Sequence, residues 1–390
     1  MSDQYTVTTT KSWGQRMKGA VAGFFIGPLL IVGSIVLLWT NEWRSVKVAN
    51  GLTEGSKMVI STTSTPIDAS LDGKLVHTSG RVATQEVLND SLIWVSENAI
   101  ALSRKVEMYQ WKEKSSTSSK DNYGWSETST TTYTYTKEWS DHKIKSSSFN
   151  DPINHRNPTE WIYDQYDILA TNVKIWDMRL SRGFIEQMTP RTQLSLSSRN
   201  IVLSGATVLA DSIYFGKVSS DPAIGDMRIK YYIAPLQDIS IIGKLSGDML
   251  EGYKTKTDSE IALLEIGTHW AVEMFQNAQD ENMLFTWLFR VGGIILLFIG
   301  FSLIFQIIVI LAKVIPFLAT IVGWGTSLIS FLATIIVGGI VIASAWIFAR
   351  PLISGVVFVI IGGIVFFIFQ NKKSASGWLV DTTGSAPMPQ

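Results

Sequence analysis

The last third of the chain is almost free of charged residues, and this feature restricts the possible folds more than any other. Between Glu281 and Lys372 the charged side chains are those of Arg290, Lys313 and Arg350. Apolar segments of about 20 residues, enough to cross the hydrocarbon core of a bilayer as a helix, occur there and also near the start of the chain. The sequence therefore predicts an integral membrane protein with apolar helices at both ends.

The apolar segments predict four transmembrane helices, at 19–40, 283–312, 326–348 and 352–370. The segment at 313–325 is predicted as an interfacial elbow, because the charge-free run from 314 to 348 is too long for one straight crossing. The first apolar run of the chain is longer than a signal-peptide core, and no small-residue cleavage site follows it. This favours an uncleaved anchor over a secretory signal. The predicted remainder comprises an N-terminal tail at 1–18, a large domain at 41–282 and a C-terminal tail at 371–390.

The basic residues that flank these helices predict the orientation. Arg16 and Lys18 precede the first helix, and Lys372 and Lys373 follow the fourth. Basic residues concentrate on the cytoplasmic side of membrane proteins. Both tails are therefore predicted to be cytoplasmic, and residues 41–282 to be extracytosolic.

The large domain is predicted to be rich in β-strands. Residues 99–114 and 130–139 alternate between apolar and polar side chains, which is typical of half-buried strands. The polar stretch between them, at 115–129, predicts a long hairpin with a mobile tip. The predicted fold class is an integral α-helical membrane protein with four transmembrane helices and a large extracytosolic β-rich α+β domain inserted between helices 1 and 2.

The sequence gives little support for a catalytic, metal-binding or cofactor-binding site. The chain has no cysteine, which excludes disulfides and thiolate sites, and its net charge of zero gives no general affinity for nucleic acid. It contains no motif for zinc hydrolysis, a nucleophile elbow or phosphate binding. His142 and His155 could bind a metal only with ligands from elsewhere, so structural imidazoles are the favoured interpretation, and no cofactor is predicted. Asp226 and Arg228 could form an ion pair on one strand face.

Pairs of adjacent glycines lie inside the last three predicted helices. Small residues let helix backbones approach closely, which favours a role in helix packing over a glycine-lined pore. Arg290 is predicted to extend towards the headgroups, with a buried gating charge as the alternative. The glycines predicted to pack are Gly292, Gly293, Gly338, Gly339, Gly362 and Gly363.

Several short motifs in the same order resemble the LUMA family, also called the transmembrane protein 43 family. They include a TNE-x-R element after the first helix, a G-x-LVH-x-x-G element, the sequence EMYQW, a GD-x-R element and W-x-x-x-RP near the end. The matching residues, whose roles are unknown, are Asn41, Glu42, Arg44, His77, Glu107, Tyr109, Trp111, Tyr133, Tyr135, Glu138, Trp139, His155, Asn157, Pro158, Gly225, Asp226, Arg228, Trp346, Arg350 and Pro351.

The resemblance implies four membrane helices and a large luminal or extracytosolic domain. It also implies self-association, a role in organising membrane protein complexes and no established catalytic residues; animal members lie in the endoplasmic reticulum and inner nuclear membrane with emerin and lamins. This chain departs from animal members in lacking charges at 314–331. Its cysteine-free composition suggests a bacterial member, with residues 41–282 periplasmic at the inner membrane; the alternative is a luminal domain in the endoplasmic reticulum or inner nuclear membrane.

The leading functional hypothesis is a non-enzymatic membrane scaffold. Its extracytosolic domain would bind lipid headgroups or other membrane proteins, its helices would self-associate into a homo-oligomer, and nucleic acid is not an expected partner. The alternative is a channel or transporter subunit with a passive pore. A membrane hydrolase would require convergence of candidate residues in one cleft, namely His77, His155, Glu107, Glu138, Asp226 and Arg228.

Overall fold

The computed structural model describes residues 3–63, 65–122, 126–197, 199, 201–312 and 316–349. Its helices are α1 (Trp13–Met58), α2 (Arg182–Gln187), α3 (Ala271–Ala312) and α4 (Pro316–Ala349), with 3₁₀ turns at Ala69–Leu71 and Ser146–Ser148. Its strands are β1 (Asp3–Lys11), β2 (Ile60–Ser61), β3 (Leu75–Ala83), β4 (Leu88–Asp90), β5 (Val95–Glu97), β6 (Ala101–Asp121), β7 (Glu127–Ser140), β8 (Tyr166–Leu169), β9 (Lys174–Ile175), β10 (Met178–Leu180), β11 (Thr192–Gln193), β12 (Thr207–Val208), β13 (Ile213–Phe215), β14 (Met227–Ala234), β15 (Asp238–Ser246), β16 (Met249–Glu251), β17 (Tyr253–Lys254), β18 (Glu260–Ile261) and β19 (Leu263–Ile266).

Within the described residues, three helices are long and apolar enough to cross a membrane. They are α1, α3 and the part of α4 from Ile321 to Phe348. A large β-rich domain lies between α1 and α3, as predicted. The predicted fourth helix, at 352–370, lies outside the described residues.

The described helices differ from their predicted lengths and from the predicted elbow. α1 and α3 extend beyond 19–40 and 283–312 into the domain. α4 is one continuous helix from Pro316, so Gly323 does not break it where an elbow at 313–325 was predicted. A helical glycine costs only about 1 kcal/mol relative to alanine, less than leaving a backbone group unpaired in an apolar environment.

The domain has two large sheets with a shared apolar core and two small sheets of two strands each, β4–β5 and β17–β18. The eight-stranded sheet has the order β1-β7-β6-β14-β13-β12, with β8 on β6 and β11 on β14. The seven-stranded sheet has the order β19-β15-β16-β10-β9-β3-β2, and an extra pairing between β15 and β3 closes part of it into a ring. Alternating residues such as Leu102, Val106 and Ile229 point into the core. The predicted β-rich α+β domain is therefore present.

A smaller core joins the domain to the helices. Leu52 of α1 and Phe275 of α3 pack with Leu75, Ile242 and Ile261 of the seven-stranded sheet and its neighbour β18. Burial of these side chains stabilises the junction, because each apolar side chain removed from water contributes roughly 1.5–3 kcal/mol. α1 and α3 therefore belong to both the bundle and the domain.

The predicted hairpin is present and longer than its sequence pattern indicated. β6 and β7 pair from Met108–Ser140 to Asp121–Glu127, so most of the predicted polar loop is strand. Cross-strand hydroxyl pairs stabilise this part, with 2.9 Å between Thr117 Oγ1 and Thr131 Oγ1. Such pairs give polar strands the cross-strand contacts that apolar side chains usually provide.

The N-terminal segment is a strand rather than a separate tail. β1 pairs antiparallel with β7, from Asp3 opposite Tyr135 to Lys11 opposite Glu127. The chain then turns at Ser12, whose hydroxyl accepts a hydrogen bond from Gln15 N and caps α1. The sequence had separated residues 1–18 from residues 41–282 by the membrane, whereas the structure joins parts of both in one sheet. We call the three strands β1, β7 and the outer half of β6, from Lys112 to Asp121, the ribbon.

Candidate functional site

A polar seam joins α1 to α3 where the helices leave the apolar bundle. Arg290 forms two hydrogen bonds with Glu42, at 2.5 Å from Nε to Oε1 and 2.8 Å from Nη2 to Oε2. Glu42 is 1% exposed. Asn41 Nδ2 donates to the backbone oxygen of Thr286 at 3.1 Å. Arg290 thus pairs with a buried carboxylate instead of extending freely to the headgroups, and the seam fixes the register of the two helices.

Arg44 continues the seam towards the domain. Its Nη1 donates to Asn282 Oδ1 at 3.2 Å, and its guanidinium lies 6.0 Å from the centre of the Phe289 ring. Its Nε and Nη2 have no hydrogen-bond partner among the described residues. Asn282 Nδ2 also donates to the backbone oxygen of Ser45, at 3.0 Å. The three residues of the TNE-x-R element therefore face one helix, which gives that motif a packing role.

A second group of motif residues lies on the eight-stranded sheet at the base of the ribbon. Arg228 donates from Nε to Glu107 Oε2 at 2.5 Å, across the β14–β6 pair. The Arg228 guanidinium lies 4.3 Å from the centre of the Trp139 ring, which contacts the Tyr109 ring at 5.3 Å. Charge, cation–π contact and aromatic packing stabilise this junction of three strands.

Asp226 has a partner other than the one predicted from sequence. Its carboxylate accepts from the Tyr214 hydroxyl at 2.5 Å and from Ala223 N at 2.8 Å. Arg228 pairs with Glu107 instead, because Asp226 lies in the turn before β14 and not on its face. The predicted Asp226–Arg228 ion pair is therefore wrong.

His155 is the centre of a third group. It is 2% exposed and stacks on Tyr135, with ring centres 3.6 Å apart. Its Nε2 lies 3.1 Å from Asp3 Oδ2, and its Nδ1 lies 3.3 Å from Asp151 Oδ2. Trp111 contacts the same imidazole edge to face, at 4.7 Å. His155 thereby connects β1 to the loop after β7.

Asn157 and Pro158 close this group against the sheet. Asn157 accepts from Trp111 N at 2.7 Å and donates to the Trp111 oxygen at 2.8 Å, and so satisfies the free edge of β6 as a strand would. Pro158 packs against Gly225, whose φ of +97° favours glycine. These residues have structural roles that explain their presence in the motifs.

Tyr135 completes the group with a hydrogen bond to a carboxylate. Its hydroxyl donates to Glu113 Oε2 at 2.7 Å and accepts from Asp151 N at 2.9 Å. Burial, together with the nearby Glu113, raises the pKa of Tyr135 to about 12. The phenol therefore stays protonated near neutral pH and is unsuited to act as a base.

His77 lies on the seven-stranded sheet, in different surroundings from His155. Its Nε2 lies 3.0 Å from the backbone oxygen of His269, and its Nδ1 lies 3.1 Å from Ser61 Oγ. Burial lowers the pKa of His77, and the His269 carbonyl opposes this effect. A neutral imidazole here connects β3 to the start of α3.

The remaining motif residues are distributed over the molecule. Glu138 accepts from Lys112 Nζ at 2.6 Å on the ribbon, and Tyr133 is half-buried on the opposite face of β7. Trp346 lies in α4. Arg350 and Pro351 lie outside the described residues.

The predicted packing glycines divide into two groups. A Cβ on Gly293 would lie 2.6 Å from Leu38 Cδ2, and one on Gly338 would lie 3.4 Å from Leu297 Cδ1, so these two pack within the chain. A Cβ on Gly292 or Gly339 would meet no described atom within 4 Å. Gly362 and Gly363 lie outside the described residues.

Sequence reasoning missed the closest approach of two helices. A Cβ on Gly27 of α1 would lie 2.7 Å from the backbone oxygen of Gly300 in α3. Gly23 also faces α3, where its Cβ would lie 3.3 Å from Leu303 Cδ2. The G-x-x-x-G spacing of Gly23 and Gly27 was the signal that could have located this contact.

Among the described residues, the hydrolase candidates do not meet in one cleft and no group suited to a metal is found. Groups of three or more His, Asp or Glu side chains that could hold a metal are absent from the part of the chain that the structure describes. His77, His155 and Glu138 each have the separate partners given above. Asp226 bonds to Tyr214, which lies opposite Arg228 in the sheet, and Arg228 pairs with Glu107. Tyr231 and Asp90 share a 2.6 Å hydrogen bond in the core, where burial raises the pKa of Tyr231. These arrangements stabilise structure and offer no nucleophile activated by a base.

The comparison with known families identifies the relationship. The family model described as Transmembrane protein 43 matches residues 108–351. The chain belongs to the transmembrane protein 43 family. Relatives named Transmembrane protein 43 from Mus musculus and Homo sapiens are each 29% identical over 349 residues, which is 87% of this chain and 87% of theirs. The Drosophila melanogaster Transmembrane protein 43 homolog is 27% identical over 336 residues, or 83% of this chain and 88% of its own.

Membership of the transmembrane protein 43 family confirms the resemblance found in the motifs. The matched residues include β7 and the ribbon part of β6, Arg228 of the sheet and Arg290 of the seam. No solved structure matches the chain. The family name agrees with the three apolar helices in describing an integral membrane protein.

Proposed function

We propose that this protein is a non-enzymatic scaffold that organises other components at a membrane surface. The observation that carries the proposal is the continuity of α1 and α3, which run without interruption from the apolar bundle into the β-rich domain. A domain attached through two continuous helices keeps a fixed distance and angle to the bilayer. Such a fixed position suits a protein that presents a surface to partners.

Contacts on the domain side make this attachment rigid. Lys47 of α1 pairs with Asp258 at 3.0 Å, and Lys256 N donates to Glu54 of the same helix at 3.2 Å. Gly55 packs closely on Phe275 and Ile261. The attachment therefore has apolar and polar contacts on α1 over more than two turns.

The proposed ligands are lipid headgroups or other membrane proteins, and the proposed assembly is a homo-oligomer. Gly292 and Gly339 face open space in the single chain, which leaves two small surfaces where a helix of a second copy could approach closely. We place the protein in a bacterial inner membrane with the main body of the domain in the periplasm, in accord with the basic residues that flank the first helix.

Native mass spectrometry of the full chain in lipid nanodiscs tests this proposal. We expect oligomers with retained lipid, and we expect Gly339→Leu to shift the population towards monomers. Ile340→Leu, next to it and 61% exposed, is the matched control and should leave the oligomer unchanged. A wild-type protein that is strictly monomeric and free of lipid and partners would contradict the scaffold proposal.

The alternative, a passive pore, has one supporting observation. A groove of about 380 Å³ between α3 and α4 has a mainly apolar lining that also includes the polar residues Ser302, Gln306 and Ser330. The Ser330 hydroxyl, however, donates to the Thr326 backbone oxygen at 2.8 Å and is thus already satisfied. Conductance of reconstituted protein that disappears in Gly338→Leu/Gly339→Leu would favour the pore.

A further inference from the structure

The ribbon extends from the domain body to the start of α1, at the far end of the apolar segment of that helix. At its outer end, Glu127 lies 3.3 Å from Arg16. At its other end, the ribbon joins the domain body, which is fixed to α1 near Lys47. The helix from Arg16 to Glu42 is about 39 Å long. The ribbon, measured along β6 to Asp121 and including its base from Tyr109, extends about 41 Å. Since both segments connect the same two regions with similar lengths, the ribbon lies roughly parallel to α1.

One face of the ribbon forms a continuous polar surface, which we call the hydroxyl strip. The pairing of β1, β7 and β6 places these side chains in rows on one face, because alternate residues of a strand share a face. The rows of the hydroxyl strip are Gln4–Thr134–Lys114, Thr6–Thr132–Ser116, Thr8–Thr130–Ser118 and Thr10–Thr128–Lys120.

The hydroxyls of the central rows are available to a ligand. The side chains of Thr6, Thr8, Thr130 and Thr132 make no hydrogen bond with any residue that the structure describes, and they are exposed or half-buried. On the opposite face, by contrast, Ser119 and Ser129 hydroxyls bond to each other at 2.7 Å. Thr117 and Thr131 on the opposite face also bond to each other, whereas the described hydroxyls in the two central rows of the hydroxyl strip form no such cross-strand pair.

The charge of the hydroxyl strip favours an anionic ligand. Lys114 and Lys120 lie in its first and last rows, and neither forms an ion pair with a described residue. No carboxylate occurs in the four rows. The nearest carboxylate on that face, Glu138, is paired with Lys112 at 2.6 Å. Hydroxyl donors with a lysine at each end suit a phosphate group.

At membrane depth, the hydroxyl strip and its backbone need contact with water or protein, a condition that a soluble domain meets without further arrangement. Strands with open edges are not stable against hydrocarbon, and non-helical backbone at membrane depth is tolerated where it is buried in protein or borders water. β1 is an edge strand, and the four rows of the hydroxyl strip contain no apolar residue. Water and polar headgroups must therefore reach the ribbon beside α1.

We propose that the hydroxyl strip is a path along which phospholipid headgroups cross between the leaflets. The phosphate exchanges its hydration shell for the hydroxyls and lysines of the strip, while the acyl chains stay in the surrounding hydrocarbon. Exposed apolar side chains of α1, such as Phe25 and Leu29, contact that hydrocarbon. This activity goes beyond the proposed scaffold function and does not require oligomers, so either proposal can fail alone.

Transbilayer lipid movement in vesicles tests the path directly. The full chain is reconstituted into phosphatidylcholine vesicles that contain a trace of headgroup-labelled fluorescent phospholipid, and external dithionite bleaches the label in the outer leaflet. A second vesicle preparation contains a soluble fluorophore of the same kind in its interior. We expect the lipid label to be bleached beyond the outer-leaflet half, with the interior fluorophore protected.

Two variants assign the movement to the hydroxyl strip. Thr6→Val/Thr8→Val/Thr130→Val/Thr132→Val removes the hydroxyls but keeps side-chain shape and the preference for strands, and it should return bleaching to the outer-leaflet half. The corresponding four Thr→Ser changes keep the hydroxyls and should retain the movement. Circular dichroism of both variants verifies that the ribbon is intact.

Three results would overturn the proposal. Bleaching of the wild-type vesicles that stops at one half shows that no lipid crosses. Equal bleaching by the wild type and a folded valine variant shows that the strip is not the path. Bleaching of the interior fluorophore shows an aqueous pore that admits dithionite itself. None of these results bears on the oligomer measured in nanodiscs.

Discussion

Arg16, in the first helical turns of α1, forms a 3.3 Å ion pair with Glu127 at the outer end of β7. The pair connects the start of the apolar helix to the end of a hairpin that belongs to the water-exposed domain. Because β1 directly precedes α1 in sequence and pairs with β7, the N-terminal segment, the hairpin and α1 form a closed structural loop. The membrane-crossing helix and the polar ribbon therefore cannot be assigned to separate units.

The Glu42–Arg290 pair should behave as a coupled unit. Arg290→Leu leaves the buried Glu42 without its partner, and we expect a loss of about 3 kcal/mol in the free energy of unfolding. Glu42→Leu/Arg290→Leu should be more stable than the single variant, because no unpaired buried charge remains. Unfolding in detergent, followed by tryptophan fluorescence, measures both. Losses that simply add in the double variant would show that the two residues do not interact.

The two adjacent glycines of α3 should respond in opposite ways to alanine. A Cβ on Gly293 would lie 2.6 Å from Leu38 Cδ2 and 2.7 Å from Leu38 Cγ. Gly293→Ala should destabilise the α1–α3 contact by about 1–3 kcal/mol through overpacking. Gly292→Ala, in open space, should be neutral or slightly stabilising, since alanine favours helix. The same unfolding measurement compares them, and equal effects would place the α1–α3 interface elsewhere.

His155 should hold β1 on the domain. His155→Phe keeps a ring to stack on Tyr135 but removes the contacts with Asp3 and Asp151. If these contacts contribute about 1 kcal/mol, backbone amides of β1 should exchange with deuterium roughly fivefold faster. Hydrogen–deuterium exchange with mass spectrometry follows residues 3–11. His142→Phe, whose side chain is 87% exposed in the native chain, is the control, and unchanged exchange in His155→Phe would show that strand pairing alone holds β1.

His77 should make the stability depend on pH. Burial lowers its folded-state pKa below 6.5, so the unfolded chain binds more protons between the folded and unfolded pKa values. The contribution of neutral His77 is complete above pH 6.5 and is lost as the pH falls through the folded pKa. His269, whose pKa is raised by Glu273, contributes with the opposite sign.

The variant His77→Gln isolates this contribution. Thermal unfolding of wild type and variant between about pH 5 and 8 gives the difference in melting temperature at each pH. The melting temperature of the wild type relative to that of the variant should decrease as the pH falls. The reason is that the native state of the wild type disfavours protonation of His77, and the variant has no such group. A difference that is independent of pH would mean that His77 does not titrate in this range.

The sequence identified many residues of the candidate site but not the contacts that they make. The motif residues were found because they recur in order, yet their partners lie far away in the chain: Glu42 with Arg290, Arg228 with Glu107, and His155 with Asp3. The Asp226–Arg228 pair, predicted from a spacing of two, is wrong, because Asp226 lies before β14 and accepts a hydrogen bond from Tyr214. The sequence motifs therefore identified the residues of the site, but spacing in sequence did not predict which of them contact each other.

The membrane character and the β-rich domain were determined by the sequence alone, because hydropathy and strand alternation are local properties of consecutive residues. The helix lengths, the buried Glu42–Arg290 pair and the position of β1 were decided by tertiary structure. A strand such as Asp3–Lys11, with mostly polar side chains on both faces, carries little pattern of its own, and its structure comes from the hydrogen bonds that β7 offers. The position of β1 is set by the strand that forms hydrogen bonds with its backbone. That strand, β7, lies more than a hundred residues away in sequence.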